Sequence, residues 1–124
     1  MIIRRRSEIE GIKWGNGLSH RFLVEDDGMG YTLTDTVIWP GTSSALQYRK
    51  HLEACYCISG HGAVVDDRGR RHLIEPGTMY ALDQHDAHHL VGTGPGELRL
   101  ICVFSPALHG DERHTLNADG YSAY

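Results

Sequence analysis

Glu53 lies in the stretch "HLEACYCISGHG", an acid between Leu52 and Ala54 in a run that otherwise reads as a buried strand. A carboxylate removed from water there is costly unless something pairs with it. One answer is an ion pair across the fold, with Arg21, Arg49 and Arg99 as candidate partners. Two spacings accompany this acid. Six residues separate Glu53 from Gly60, and His88 follows Pro76-Gly77 by eleven residues counted from the glycine. The chain also carries three thiols, Cys55, Cys57 and Cys102. Their odd number, with two of them on one apparent strand, argues against a disulfide framework and for a reducing, cytoplasmic compartment.

These side chains need elements to carry them. From about residue 20 onward, apolar runs alternate with turn signals: "HRFLVE" before "DDGMG", "YTLTDTVIW" before "PGTSS", "EACYCIS" before "GHG". "AVV", "HLIE", "TMYAL", "HHLV" and "ELRLICVF" continue the series. Short strands at this spacing predict an all-β sandwich or small barrel. No segment of helical length shows a convincing apolar stripe. The tail "DERHTLNADGYSAY" is polar but holds two tyrosines, so it is expected to pack back onto the body. With 124 residues, 40% of them hydrophobic, the chain suits one compact domain rather than two. A net charge of −4 gives no reason to expect nucleic acid or an anionic membrane as partner. Arg4-Arg5-Arg6 reads as a solvated charge run. No apolar stretch approaches the length of a membrane span, and "MIIRRRSEIEGIKWG" lacks the apolar segment of a signal peptide.

The spacings around Glu53 and His88 resemble the two motifs of the cupin superfamily, a double-stranded β-helix of jelly-roll type whose inward glutamate and later histidine bind a divalent metal. The usual His-x-His pair before the glutamate is missing, and only His51 stands there, in "LQYRKHLE". The resemblance then narrows. "DDGMGYTLTDT", "YRKHLEACYCISGHG", "PGTMYALDQHDAHHL" and "CVFSPALHGDERH" resemble successive blocks of the ectoine synthase family, small cupins that close N-γ-acetyl-L-2,4-diaminobutyrate into ectoine with loss of water. Ectoine is a cytoplasmic solute that protects against osmotic stress. The match runs from about Ser19 to Tyr124. It implies a single cupin domain over residues 1–124, with a divergent segment 1–18 and a tail 109–124 that closes the barrel mouth.

The resemblance also implies roles. The metal ligands fall on Glu53, Tyr80 and His88; His85 and His89 flank the last but lack its spacing from Pro76-Gly77. A carboxylate, a phenolate and an imidazole suit Fe(II), with Zn(II) or Mn(II) as substitutes. Three protein ligands leave positions open for a substrate oxygen. Substrate-contact positions fall on Ser19, Thr36, Tyr48, Cys102, Phe104, Glu112 and His114. Cys102 and Phe104 share a strand face by the two-residue period, although each would also suit ordinary core. His114 with Glu112 is the expected acid/base pair, because an imidazole beside a carboxylate can both accept and donate a proton. Cys102 is the alternative. The family has a tryptophan two residues before its serine, where this chain has Gly17; Trp14 stands three residues earlier. That departure keeps open another metal-dependent cupin lyase or cyclase acting on a related amino-acid derivative. A non-catalytic, small-molecule-binding cupin is the alternative from a different class. A homodimer is expected from the family alone.

Overall fold

The computed structural model describes residues 1–124, and strands dominate it. In chain order they are β1 (Ile12–Lys13), β2 (Gly17–Leu23), β3 (Thr32–Ile38), β4 (Thr42–Leu46), β5 (Leu52–Ser59) and β6 (Gly62–Val65). They continue as β7 (Arg71–Ile74), β8 (Met79–Leu82), β9 (His88–Gly92), β10 (Leu98–Ser105), β11 (Thr115–Leu116) and β12 (Ser122–Ala123). The only helical pieces are short 3-10 turns at Arg6–Glu8 and Glu25–Asp27. Two six-stranded sheets face each other, in the orders β1-β2-β3-β10-β5-β8 and β11-β12-β4-β9-β6-β7.

The two-residue period of the strands sorts side chains to the interior. In β10, Leu98, Leu100, Cys102 and Phe104 are buried while the residues between them are half-exposed or exposed. Glu53, Cys55 and Cys57 do the same in β5. The core between the sheets is built from Ile38, Ile74, Leu90, Leu98, Leu100 and Leu108, with the inward face of β10 at its centre.

The expected turn "PGTSS" is half a turn and half a strand. Thr42–Leu46 forms β4, paired with β9 from Thr42↔Gly92 to Leu46↔His88. Its serines hid it, yet Ser44 is inward and its hydroxyl accepts a 2.7 Å bond from Asn16. The N-terminal arginines are not simply solvated. Arg4 donates to Asp27 at 2.7 and 2.9 Å and to the Phe22 carbonyl at 2.6 Å, and Arg6 lies 3.5 Å from Asp35. Each therefore has an acid partner that sequence distance concealed.

The tail does fold back. β12 runs parallel to β4 at Ser122↔Leu46, and the Gln47 N–H donates to the Ser122 carbonyl at 3.0 Å. The step from β10 into the tail is pinned by the Leu108 N–H on the Thr32 hydroxyl, 2.7 Å.

Gly60, one end of the spacing noted above, makes the reversal from β5 to β6. Its φ is +82°, and a side chain there would overlap the Glu97 carbonyl oxygen. Both strain and overlap oppose any other residue. Gly60→Ala is therefore expected to cost about 2 kcal/mol or more. A denaturant midpoint unchanged from the parent would show that the reversal tolerates a Cβ.

Candidate active site

The register of the first sheet lines up the inward row. Tyr80 of β8 faces Cys55 of β5, which faces Cys102 of β10, which faces Thr34 of β3. One step along, Glu53 faces Phe104. From the second sheet, His88 points inward beside Leu90. Tyr48, Trp14, His114 and Tyr124 close the same interior from its mouth.

No arginine reaches Glu53. Arg21 lies against Glu112, Arg49 pairs with Asp119, and Arg99 pairs with Asp35. The ion-pair reading of Glu53 is therefore overturned. Its neighbours are the Cys55 and Cys102 thiols, and burial pushes its carboxyl up to about 8 despite them. A ligand atom of Glu53 and the two sulfurs all lie within 4.8 Å of one another. Cys55 was missed in the sequence, though its place two residues after Glu53 puts it on the same face.

His88 is 1% exposed. Its Nδ1–H donates to the Asp86 carbonyl at 2.9 Å, which leaves Nε2 as the lone-pair nitrogen, and that atom is buried with no partner. This is the arrangement of a metal-binding imidazole, with one nitrogen held by the backbone and the other free. Burial also holds its pKa below the ordinary value. The neighbouring histidines turn away: His85 bonds the Tyr48 and His51 carbonyls, and His89 packs on Tyr121. Tyr80 is buried, and its hydroxyl is pushed well above the ordinary phenol by burial.

The mouth is aromatic. Tyr124 stacks on Tyr48 at 5.2 Å, meets His114 edge-on at 4.5 Å and Phe104 at 5.6 Å. The Tyr48 hydroxyl bonds His114 Nε2 at 3.0 Å. Burial, with Arg21 and His88 adding to it, pushes His114 down to about 4. His114 and Glu112 share no hydrogen bond or ion pair. The carboxylate instead accepts the His109 and Gly110 N–H groups, each at 2.7 Å. Thr36 lines the cavity and bonds Thr34 at 2.9 Å, whereas Ser19 faces Thr36 from β2 and does not line it. The cavity is only about 20 Å³, and His88 is not part of its lining. A cleft of about 290 Å³ between β7 and β8 is lined in part by Tyr80 and His88.

The family model described as ectoine synthase matches residues 1–123. The chain belongs to the ectoine synthase family. An L-ectoine synthase of Desulfatibacillum aliphaticivorans is 46% identical over 121 residues, 92% of each chain. The crystal structure of ectoine synthase from P. lautus superposes with a TM-score of 0.83 at 40% identity, over 89% of this chain and 81% of that one. A Cupin 2 conserved barrel domain protein from Salinispora arenicola matches with a TM-score of 0.69 at 20% identity, over 85% of this chain and 88% of that one. That likeness is one of fold, and the fold is the cupin barrel.

Against this family the departure at Gly17 has a structural counterpart. A Cβ on Gly17 would collide with the Val37 carbonyl oxygen and come within 2.9 Å of Trp14 Nε1. The Trp14 indole fills that space, donates to the same carbonyl at 3.3 Å, lines the cavity and lies 5.2 Å from the His114 ring.

Burial of acid and imidazole together makes stability depend on pH. Glu53 keeps its proton in the folded chain up to about 8, against 4.5 ordinarily, so stability falls as pH rises between these values. His114, at about 4 instead of 6.5, acts oppositely: stability rises with pH across that interval, and His88 adds to the rise. Above pH 6.5 only the Glu53 effect remains among these groups. The metal-free protein should lose thermal stability from about pH 6.5 to 8, and Glu53→Gln should flatten that slope. A parent protein with no slope there would show that Glu53 is ionised in the fold.

Proposed function

We propose that this chain closes N-γ-acetyl-L-2,4-diaminobutyrate into ectoine, with Glu53, Tyr80 and His88 as the ligands of a divalent metal. Two observations support the metal site: a buried Glu53 that no arginine pairs with, and a buried His88 whose Nε2 is free. A carboxylate, a phenol oxygen and an imidazole fit such an ion. When bound, it supplies Lewis acidity to polarise the acetamide carbonyl. Iron(II) is the metal we assign, with zinc or manganese as substitutes. The two nearby thiols keep zinc in play, since thiolate is a soft ligand.

The reaction forms a bond from the α-amine nitrogen to the acetamide carbon and expels the carbonyl oxygen as water. The chain's own residues first fold the substrate so that its ends meet. Such positioning removes up to ~7–11 kcal/mol of barrier in the best intramolecular cases. Tyr48, Phe104 and Thr36 line the cavity and suit that holding role, with Trp14 as a fourth wall. Ser19 supports Thr36 from the neighbouring strand.

Proton transfer falls to His114. Its low pKa keeps the imidazole neutral at neutral pH, the form able to take a proton from the amine. Burial is the largest cause of that low value, so admission of substrate and water raises it toward neutrality and makes the return of the proton to the leaving oxygen easier. Glu112, held below the ordinary carboxylate by Gly110, His109 and Arg21 against the effect of burial, is the negative neighbour of Arg21 and not a direct partner of His114. Cys102 remains the alternative proton donor, since its thiol lies beside Glu53.

A cavity of about 20 Å³ holds about one water. The tail 109–124 therefore has to withdraw Tyr124 before substrate enters. The reading extends to a homodimer in the cytoplasm making an osmotic protectant, supported by family membership. No helix is long and apolar enough to cross a membrane. A cyclase acting on a related amino-acid derivative drew its support from Gly17, and Trp14 in the vacated space removes much of that support.

Anaerobically purified, iron-loaded protein should convert N-γ-acetyl-L-2,4-diaminobutyrate to the cyclic product, scored by chromatography. Glu53→Ala and His88→Ala should lose metal and turnover together. His114→Ala should retain metal and lose about a hundredfold or more in turnover. Full activity in His114→Ala would remove it from proton transfer, and metal retained by both ligand variants would move the metal site elsewhere.

A further inference from the structure

The small cavity inside the barrel is lined by Glu53, Cys55, Tyr80 and Cys102, whereas His88 lines the cleft between β7 and β8. Tyr80 is the only residue common to both linings. Glu53 thus shares its cavity with two thiols and not with the imidazole. Cys55 and Cys102 stand directly opposite each other on β5 and β10, and each is 2% exposed. Period two puts Glu53 on the same face as Cys55, one inward position along the strand. A carboxylate oxygen and the two sulfurs all lie within 4.8 Å of one another. All three cysteines of the chain are free, but the third is placed differently: the Cys57 thiol donates to the Ser59 carbonyl at 3.4 Å.

Those separations are close to what a single ion needs. Donors arranged tetrahedrally at about 2.0–2.3 Å from a zinc-like ion stand roughly 3.3–3.8 Å apart, so movements of about 1 Å close the set. The cavity of about 20 Å³ admits about one water-sized sphere, too little for an amino-acid derivative but enough for a bare ion. Two thiolates also cancel the charge of a dication, so its entry leaves little net charge in a buried site.

We infer that Glu53, Cys55 and Cys102 bind a thiophilic divalent cation of the zinc and cadmium class, in a mode separate from Glu53, Tyr80 and His88. Coordination breaks two S–H bonds, forms two metal–sulfur bonds and releases two protons to solvent, with no change in oxidation state. Ligand softness divides the two modes: thiolates select zinc-class ions, while a carboxylate, a phenol and an imidazole suit iron(II). Glu53 belongs to both sets, so the two ions exclude one another and a thiophilic cation blocks iron loading. No assumption about the substrate enters, and only the competition rests on the iron reading given above.

The test titrates metal-free, anaerobic protein with cadmium and follows the ultraviolet thiolate-to-cadmium charge-transfer band. The parent should develop that band to an end point at one equivalent. Cys55→Ser and Cys102→Ser should each keep about half its intensity or less and bind cadmium about a hundredfold more weakly, since even the groups behind a ligand are worth about 10–100-fold. Cys57→Ser should match the parent, and so should His88→Ala, although the latter is expected to lose iron. No band in the parent, an undiminished band in Cys55→Ser or Cys102→Ser, or loss of the band in His88→Ala would overturn the inference. Iron-loaded parent given one equivalent of cadmium should release its iron, read by metal analysis after desalting, while Cys55→Ser should retain it. Iron and cadmium bound together in the parent would overturn the sharing of Glu53. A parent that takes up no iron at all fails the iron reading instead, and the cadmium band then decides the thiol set alone.

Discussion

Buried polar groups left without matching partners are the constraint around which this barrel is organised. Glu53 and Arg21 have opposite charge and are both buried, yet the fold does not join them. Glu53 lies beside two thiols and is driven by burial toward its neutral form, while Arg21 rests under an aromatic ring. His88 and His114 are also held neutral by burial. An interior that suppresses its own charges this way strengthens any interaction with an ion or anion that enters it. It also leaves the empty fold less stable than a wholly apolar barrel of the same shape would be, a cost proteins commonly accept at functional sites.

What places these groups is strand register more than any local motif. Alignment of β8, β5, β10 and β3 carries Tyr80, Cys55, Cys102 and Thr34 into one row, and a slip of one residue would turn every one of them outward. The register is fixed at both ends of β5. Gly60 allows the chain to reverse against the Glu97 backbone, and at the other end Leu52 and Glu53 pair with Ser105 and Phe104. His88 comes from the opposite sheet, where its partner Leu46 lies on a strand rich in serine. The metal-binding reading thus depends on two sheets whose pairing is set by residues that touch no ligand.

Most of the strands were legible in the sequence because their apolar alternation is strong and their turns are marked by glycine, proline and aspartate. β4 was not, since Thr42, Ser43 and Ser44 read as turn chemistry until pairing with β9 makes them a strand. Period two put Cys102 and Phe104 on one strand face, while the inward position of Glu53 was implied by the family resemblance. The partners of charged groups did not follow, because ion pairs such as Arg4 with Asp27 or Arg99 with Asp35 join residues remote in the chain. Glu112 and His114 illustrate the same limit. Their spacing suggested contact, but the backbone turn at His109 and Gly110 captures the carboxylate first. Cys55 was within reach of the periodicity argument and was passed over because a cysteine on a strand is usually unremarkable.

The way the mouth is closed bears on how the site can open. Tyr124 is held against Tyr48, Phe104 and His114 by ring contacts, each worth about 0.5–1.5 kcal/mol beyond burial. The backbone anchor is slight: one parallel bridge at Ser122↔Leu46 and the bond from the Gln47 N–H. A closure made of aromatic faces can be withdrawn without stranding a set of buried donors and acceptors, whereas a closure made of hydrogen bonds could not. Its removal uncovers Arg21 and His114, two groups whose burial is unfavourable while Tyr124 is in place. Rehydrating them offsets part of the lost stacking. The energetics of the tail therefore lean toward exchange with a ligand that replaces the apolar surface Tyr124 covers.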